Sequence, residues 1–386
     1  MQPIRRVEAA PVRHVINFGD NRDSAMPQQL SILEPSSELD RLRETLGIAV
    51  PNIDTARAAA ATFRQQLEGD LLGLTSEDAS IVLFGSLARE EFTSGSDVDW
   101  TLLVDGIANP KHLEVALKTE SFLERIGARG PGREGIFGNL AFSHEIIHQI
   151  GGEDDTNSNT TKRILLLLES RPLGRRDAFD RVLNQVLRRY IGEDARFLQA
   201  SAQFHVPRFL LNDFARYWRT MAVDFAYKRR ARAGEGFAIR NIKLRMSRKL
   251  IFVSGLLSCF SGHVLLSDPE LSALICTPDA PSEFVRHLRR VFAQTPLEIV
   301  ASVINRYEHL RPVGVQLFSA YDAFLGVLRD DKRRAHLENL KPEAENGDDI
   351  YQELRRASHS FRDAVQTLFF DEGSGLNQLT RTYGIF

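Results

Sequence analysis

The segment from residue 81 to residue 104 limits what this chain can fold into more than any other part of it. An apolar run ends in the pair Gly85-Ser86, and further on Asp97-Val98-Asp99 opens a second apolar run. Side chains two positions apart in a β-strand point the same way, so we expect Asp97 and Asp99 to share one face while Val98 enters the core. Neighbouring carboxylates repel each other unless cations lie between them. Hard oxygen ligands of this kind suit Mg²⁺ or Mn²⁺, and the pattern predicts a site for two such ions.

The Gly-Ser pair predicts a site for an anion beside these carboxylates. It follows an apolar run and precedes residues of good helix propensity at 87–91. Gly85 lets the backbone approach a phosphate, and Ser86, at the expected N-cap, offers a hydroxyl beside free backbone N–H groups. Each part alone is common, but strand, Gly-Ser, short helix, polar turn and Asp-x-Asp are rarely found in this order.

This arrangement resembles the signature of the DNA polymerase beta superfamily of nucleotidyltransferases, which is Gly-Ser followed by Asp-x-Asp. The resemblance is specific over residues 81–104 and fades outside them. It implies transfer of a nucleoside monophosphate from a nucleoside triphosphate to a hydroxyl, with release of pyrophosphate. By the same resemblance Asp97 and Asp99 would ligate both metal ions. The neighbouring residues expected to hold the nucleotide are Gly85, Ser86, Arg89 and Ser96.

The superfamily usually adds a third carboxylate, which acts on the acceptor hydroxyl or ligates metal. Glu145 is the candidate for this catalytic and metal-binding role, because it lies in a segment, 140–150, that is expected to form the next strand. The alternative for Glu145 is an ordinary exposed strand residue. His148 is expected to pack or to form a hydrogen bond, since no other ligand stands at a metal-binding spacing from it. The competing carboxylates are Asp154, Asp155 and Glu169.

Size and composition are those of an ordinary globular protein with room for two domains. The chain has 386 residues and a formal net charge of −2. Its two cysteines are too few for a disulfide framework and suit a reducing cytoplasm. The longest apolar run, 250–260, falls short of the roughly 20 residues of a spanning helix, so no membrane insertion is expected. Residues 1–35 lack the apolar core of a signal peptide and are expected to form an irregular arm.

The order of elements predicts an α+β fold. We expect a small mixed sheet covered by helices. The expected elements are a helix at 53–73, strands around the Gly-Ser and Asp-x-Asp segment, a helix at 110–126, a glycine-rich loop at 127–138 and a later strand. This polymerase beta-like nucleotidyltransferase domain is expected at 36–165, and an all-helical domain with a C-terminal tail at 166–386. Strand patterns largely disappear after residue 160. The expected helices are 165–168, 179–191, 209–227, 239–260, 284–292, 297–307, 318–328 and 350–370.

Residues 208–249 form a strongly basic block, with twelve Lys or Arg and three Asp or Glu. Basic and aromatic residues together can neutralise phosphates and stack on bases, so the block predicts contacts to a nucleotide and to single-stranded nucleic acid. Amphipathic helices with solvated charged faces are the alternative. The residues expected to bind nucleotide are Lys243, Arg248 and Lys249, and those expected to bind nucleic acid are Arg216, Arg219, Arg240 and Arg245.

The motif does not choose the acceptor hydroxyl. The compact length, the basic block and the lack of a sensor region resemble the Hailong-type nucleotidyltransferases of bacterial anti-phage defence. That family joins nucleotides without a template into short single-stranded DNA, which holds a partner effector silent, and starts on a tyrosine near the C-terminus. The resemblance implies that Tyr383 is a primer, with a docked or idle tyrosine as the alternative.

Two other functions are compatible with the same motif. The PII uridylyltransferases share the spacing Glu145-x-x-His148, which implies modification of a partner protein, although this chain ends without their phosphohydrolase and ligand-sensing domains. A catalytically inactive nucleotide-binding sensor is the second alternative. The intact Gly-Ser pair and both aspartates argue against it, because loss of an aspartate is expected in a dead site.

Overall fold

The computed structural model describes residues 37–131, 137–194 and 206–384. Residues Ser37–Phe386 form one compact unit. The irregular arm expected at 1–35 lies outside the described residues, as do residues 132–136 of the expected glycine-rich loop. The domain boundary expected after residue 165 stays a prediction.

Four strands form one mixed sheet: β1 (Ala79–Phe84), β2 (Trp100–Val104), β3 (Leu140–Phe142) and β4 (Ser170–Leu173). Their order is β3-β2-β1-β4. β1 pairs antiparallel with both β2 and β4, whereas β2 and β3 are parallel. The Phe84 N–H donates to the Asp99 carbonyl at 2.8 Å, so the end of β1 lies beside the residue that precedes β2.

β1 is buried on both faces, which explains its continuous apolar sequence. Alternate side chains of a strand point to opposite faces. Val82 and Phe84 therefore join the large core shared with the helices, while Ile81 and Leu83 join a smaller core that includes Trp100. A strand enclosed in this way is a rigid support for the residues at its end.

The helices around the sheet follow the predicted order. The expected helix at 110–126 begins at Pro110 and is capped by Asn109, whose side chain accepts from the Lys111 N–H at 2.9 Å. These helices are α1 (Glu38–Leu46), α2 (Pro51–Leu71), α3 (Gly85–Ala88), α4 (Pro110–Arg125), α5 (Ser143–Ile147), α6 (Asn157–Leu168) and α7 (Asp177–Glu193).

The rest of the described chain is helical, and the predicted α+β class is confirmed. The helices are α8 (Arg208–Ala231), α9 (Phe237–Arg245), α10 (Ser247–Val264), α11 (Asp268–Ile275), α12 (Ala280–Phe292), α13 (Pro296–Arg306), α14 (Arg311–Arg329), α15 (Asp331–Asn339), α16 (Asp349–Phe369) and α17 (Leu376–Tyr383).

Three expectations about single elements are wrong. The strand expected at 140–150 ends at Phe142, and α5 follows it directly. A strand, β4, lies beyond residue 160; it is short, contains Pro172 and pairs at the sheet edge, where proline is tolerated. The helix expected at 239–260 is broken at Met246, whose φ of −110° and ψ of −91° separate α9 from α10.

The early helices α1 and α2 pack against the late helices α13 and α14. Asp322 of α14 accepts hydrogen bonds from the backbone N–H groups of Asn52 and Ile53, both at 2.9 Å, and so caps α2. The chain thereby brings its late helices against the helix that leads into β1.

Membrane-spanning potential is limited in the part of the chain that the structure describes. No single helix there is long and apolar enough to cross a bilayer. One pair of segments, Phe237–Val264 with Asp268–Ile275, reaches the length and composition only across a bend of 94°.

Candidate active site

Gly85 is required by two separate features of the turn after β1. Its φ is +66°, in the left-handed region that glycine adopts most readily. A Cβ atom placed there would lie 2.6 Å from Oδ2 of Asp99. Ser86 is the second residue of α3 and not its N-cap as expected, since the cap position is held by Phe84. The turn therefore brings backbone and carboxylate into direct contact.

Asp97 and Asp99 line the same cavity, as their spacing predicts. Both precede β2 and neither lies within it. Val98 between them is 1% exposed, which confirms its predicted place in the core. Asp97 is exposed and Asp99 is half-buried. The cavity has a volume of about 350 Å³, and Gly85, Ser86 and Ser96 also line it.

Negative charge is concentrated around Asp99. Burial, with the charges of Glu169 and Asp97, raises the pKa of Asp99 to about 6. Desolvation and like charge both disfavour the ionised carboxylate, and a cation between the acids would relieve both effects. Arg89 and Lys243 oppose only part of this shift, so a cation beside Asp97 and Asp99 would be stabilised.

The donors present fit a hard divalent cation. Among the described residues, no three His, Cys, Asp or Glu side chains form a ligand group. Mg²⁺ does not need such a group, because it is usually held by one or two carboxylates together with substrate phosphates and water. Asp97 and Asp99 supply the two carboxylates, and the cavity leaves their open side to a phosphate ligand.

Glu169 lies in this cavity, whereas Glu145 does not. Glu169 follows α6, is 6% exposed and accepts a hydrogen bond from Arg89. Arg89 also donates through Nε to Oε2 of Glu91 at 2.9 Å, and Tyr321 donates to Oε1 of Glu91 at 2.8 Å. Although burial disfavours its charge, the carboxylates of Glu91 and Glu169 hold the pKa of Arg89 well above its usual range. Arg89, expected to bind nucleotide, also lines the cavity but is held between two glutamates.

The segment around Glu145 has a different environment from the one expected. Glu145 lies in α5, with a half-exposed side chain whose Oε2 is 3.7 Å from Nζ of Lys162. His148 follows the same helix and packs its ring against His144, with centroids 5.1 Å apart. Of the competing carboxylates, Asp154 is exposed, and Asp155 is buried in an ion pair with Arg163 at 2.9 Å.

Basic side chains from the helical part form another part of the cavity lining. Lys243 of α9 and Arg248 of α10 line it, as expected for nucleotide-binding residues, and Arg334 of α15 joins them. Burial and the positive charge of Arg334 lower the pKa of Lys243 to about 8, although Asp97 opposes this shift. Anionic phosphates between the aspartate-bound cations and these side chains would be neutralised from both sides.

An apolar surface completes the cavity. It is formed by side chains from five separate segments, namely Phe137, Leu165, Met221, Ile251 and Phe324. Apolar walls with a few placed polar groups are typical of small-molecule sites. A nucleobase is the part of a nucleotide that suits such a surface.

Helix α15 holds the turn that leads to Asp97. Arg334 donates through Nη1 to Oγ1 of Thr93 at 3.2 Å, and Ser94 donates to Asp331 at 2.8 Å. A Cβ atom on Gly95 would lie 2.7 Å from Nε of Arg334, so the guanidinium lies directly against the turn. Ser96, expected to contact nucleotide, also pairs with Thr93 at 3.0 Å.

The remaining basic candidates are not gathered in the cavity. Arg216 bonds Asp155 at 3.2 Å and lines a separate groove on α8 together with Arg219. Arg240 lies near Gly236, and Arg245 donates to Asn241 at 2.8 Å. Lys249 does not line the cavity that its neighbour Arg248 lines. Burial and the charges of Arg245 and Arg362 lower the pKa of Lys249.

Tyr383, the expected primer, is the last residue of α17 and is packed against the large hydrophobic core. Its side chain is half-buried, and it does not line the cavity. The C-terminal tail is therefore helical as far as Tyr383.

The sequence interpretation missed Glu91, Tyr321 and Arg334 and placed Glu169 only among the competitors. Glu169 had a weak signal, since it directly follows the apolar run 164–168. Arg334 and Tyr321 had none, because they reach the site from helices more than two hundred positions further along the chain.

Comparison with known proteins places the motif within a described domain. Residues 64–129 match the family model for a nucleotidyltransferase domain, a range that includes Gly85, Ser86, Asp97 and Asp99. Comparison with curated proteins gives no match. The match covers β1, the Gly-Ser turn and the paired aspartates, and it supports the resemblance of this part of the chain to the polymerase beta-like superfamily.

Proposed function

We propose that this protein transfers a nucleoside monophosphate from a nucleoside triphosphate to a hydroxyl group and releases pyrophosphate. One observation carries the proposal: paired carboxylates and basic side chains from the helical part line one cavity of about 350 Å³. The family match supports nucleotidyl transfer in general. The geometry adds the charge pattern that a metal-bound triphosphate requires.

The basic and the acidic side chains of the cavity each have a part in this reaction. The acceptor oxygen bonds to the α-phosphorus, the bond from that phosphorus to the bridging oxygen breaks, and the hydroxyl proton passes to solvent. Lys243 and Arg248 neutralise the charge that develops on the departing pyrophosphate. Asp97 and Asp99 would hold two Mg²⁺ or Mn²⁺ ions, which supply charge neutralisation and a more acidic acceptor hydroxyl.

The single variants Asp97→Asn and Asp99→Asn test the proposal directly. The eight common nucleoside triphosphates are supplied one at a time with Mg²⁺ or Mn²⁺, and the parent should release pyrophosphate from at least one of them. Either variant should lose nearly all of this release. Asp154→Asn, which removes an exposed carboxylate, is the matched control and should keep it. Pyrophosphate release unchanged in both site variants would refute the proposal.

Glu169 is the third carboxylate that we propose, with Glu145 as the alternative. Glu169 shares the cavity with the aspartates, and its charge contributes to the raised pKa of Asp99. Glu145 is half-exposed and faces Lys162. Glu169→Gln should therefore lower the rate far more than Glu145→Gln, and the reverse order would restore Glu145 to the role.

For the acceptor, we propose a nucleotide 3′ hydroxyl, with template-independent growth of short single strands that begins on Tyr383. Its support is the resemblance to defence enzymes that keep an effector partner silent. Because Tyr383 is packed against the core, α17 would have to undock before priming. Intact mass should show a ladder of nucleotide additions that is lost in Tyr383→Phe. Label on a second protein alone would favour the protein-modifying alternative.

A further inference from the structure

A second concentration of positive charge lies outside the cavity. It is formed by the cations Arg245 of α9, Lys249 of α10, and Arg355 and Arg362 of α16, with the His359 ring of α16 among them. The three α16 residues follow each other at intervals of four and three, so they lie on one face of that helix. None of the five lines the cavity. We refer to them as the α16 basic cluster.

The helices that carry the cluster are fixed against one another. α9 packs on α16, and Oδ1 of Asn241 accepts from both Arg245 Nε at 2.8 Å and the Tyr351 hydroxyl at 3.1 Å. All members except the exposed Arg362 are half-buried. The cluster is therefore a fixed arrangement between helices. It differs in this from an ordinary helix face, whose charged side chains are fully solvated.

The cluster has little negative charge to balance it. Arg362 bonds the exposed Asp363 at 2.7 Å. Within the described ranges, the ion pairs found include none that joins Arg245, Lys249 or Arg355 to a carboxylate. Burial, with the charges of Arg362, Arg245 and Arg355, lowers the pKa of His359. The crowded like charges repel one another, and a bound anion would remove that repulsion.

The geometry points to a second phosphate-binding site at the α16 basic cluster, which holds the backbone of a single-stranded nucleic acid. Residues 355–362 span about 10 Å along the helix, which is longer than one phosphate group. Half-buried cations between helices can be reached by one flexible strand more readily than by the broad face of a duplex. This site goes beyond the proposed transfer reaction and does not depend on it.

Binding of a labelled single strand of about 12 nucleotides tests the site, measured by fluorescence anisotropy over a series of salt concentrations with EDTA present. The parent should bind, and the slope of log K against log salt should fall by about 0.7 for each phosphate contact removed. Arg355→Gln and the pair Lys249→Gln with Arg362→Gln should each show this loss. Both should keep the circular dichroism of the parent.

Arg356→Gln is the matched control, because Arg356 is the exposed neighbour of Arg355 on α16. It should leave the slope nearly unchanged. The site assignment fails if Arg356→Gln and Arg355→Gln act equally, if the parent does not bind the strand, or if a duplex binds as well through the same residues. It also fails if a nucleoside triphosphate displaces the strand and the cluster variants bind the strand as tightly as the parent does, because the strand would then occupy the cavity.

Asp97→Asn separates this inference from the proposed reaction. It should abolish transfer and keep strand binding, because Asp97 lies in the cavity and not in the cluster. If the protein transfers nucleotides but its strand binding does not depend on the cluster, only the second site is rejected. If strand binding depends on the cluster but the protein transfers no nucleotide, only the proposed reaction is rejected.

Discussion

Single residues at the site are constrained mainly by close neighbours of like or opposite charge. Gly85 touches Asp99, which shares the cavity with Asp97 and Glu169, while Arg89 is held between carboxylates. In such an arrangement, a change of one atom alters the position or the protonation of the next residue. Two predictions follow from this crowding.

Gly85→Ala should lower pyrophosphate release by more than the loss in its free energy of unfolding would explain. The positive φ of +66° costs about 1 kcal/mol or more for a residue with a Cβ atom, and the new atom would displace the Asp99 carboxylate. Gly127→Ala is the control, since its φ is +70° but nothing lies within 4 Å of the added atom. Urea unfolding should show a loss in both, whereas pyrophosphate release should fall only in Gly85→Ala. Equal activity in the two variants would contradict the contact.

Asp99 should make the metal-free protein less stable as the pH rises from about 4 to above 6. Folding raises the pKa of Asp99 to about 6, so the folded state binds this proton more tightly than the unfolded state does. The penalty is absent below the unfolded pKa and complete above the folded one, up to about 3 kcal/mol.

The measurement is urea unfolding of parent and Asp99→Asn in EDTA across this pH range. The variant should be the more stable protein near pH 7, and the difference should vanish near pH 4. Mg²⁺ should stabilise the parent and reverse the order, because it binds the folded state. A difference that grows as the pH falls would disprove the assignment.

Whole helices and strands are positioned by contacts that cannot be predicted from their own sequences. The long helices with strong apolar periodicity, such as α7, α8 and α16, were predictable, because each buries one face. β4 was not, since four residues that include a proline give no alternation to detect. The short helix α15 was also missed, although it holds the turn at Thr93.

Arg334→Ala should release this turn. We expect transfer to fall by between about ten- and a hundred-fold and the half-saturating Mg²⁺ concentration to rise, because the turn leads directly to Asp97. Arg333→Ala is the neighbouring control; Arg333 is half-buried, pairs with Glu353 and does not line the cavity, so both quantities should stay close to those of the parent. A lower rate with an unchanged Mg²⁺ requirement would show that Arg334 acts on the phosphates and not on the turn.

At the scale of the whole molecule, the early and late parts of the chain stabilise each other. Asp322 of α14 caps α2 through Asn52 and Ile53, across about 270 positions of sequence. Glu298 of α13 likewise accepts from the Leu39 N–H of α1 at 2.9 Å. The helix that supports β1 is therefore completed by residues of the helical part.

Asp322→Ala should lower the free energy of unfolding by about 2 to 3 kcal/mol, because it leaves two N–H groups of α2 without their acceptor. Asp330→Ala removes a comparable but exposed cap from α15 and should cost about 1 kcal/mol. The shift of the urea midpoint, multiplied by an m value common to parent and variants, measures both losses in the free energy of unfolding. A smaller loss in Asp322→Ala than in Asp330→Ala would show that this long-range cap contributes little.

The Gly-Ser turn, the paired aspartates and the alternation of helices and strands around them could be predicted from the sequence. These features are local, because the two-residue repeat of an extended chain is enough to direct Asp97 and Asp99 to one side. Only the packing of distant segments places Glu169 beside them, holds the turn with Arg334 and leaves Arg245 and Lys249 outside the cavity that Arg248 lines. Burial and charge pairing depend on which distant segments pack together, and no short stretch of sequence carries that information.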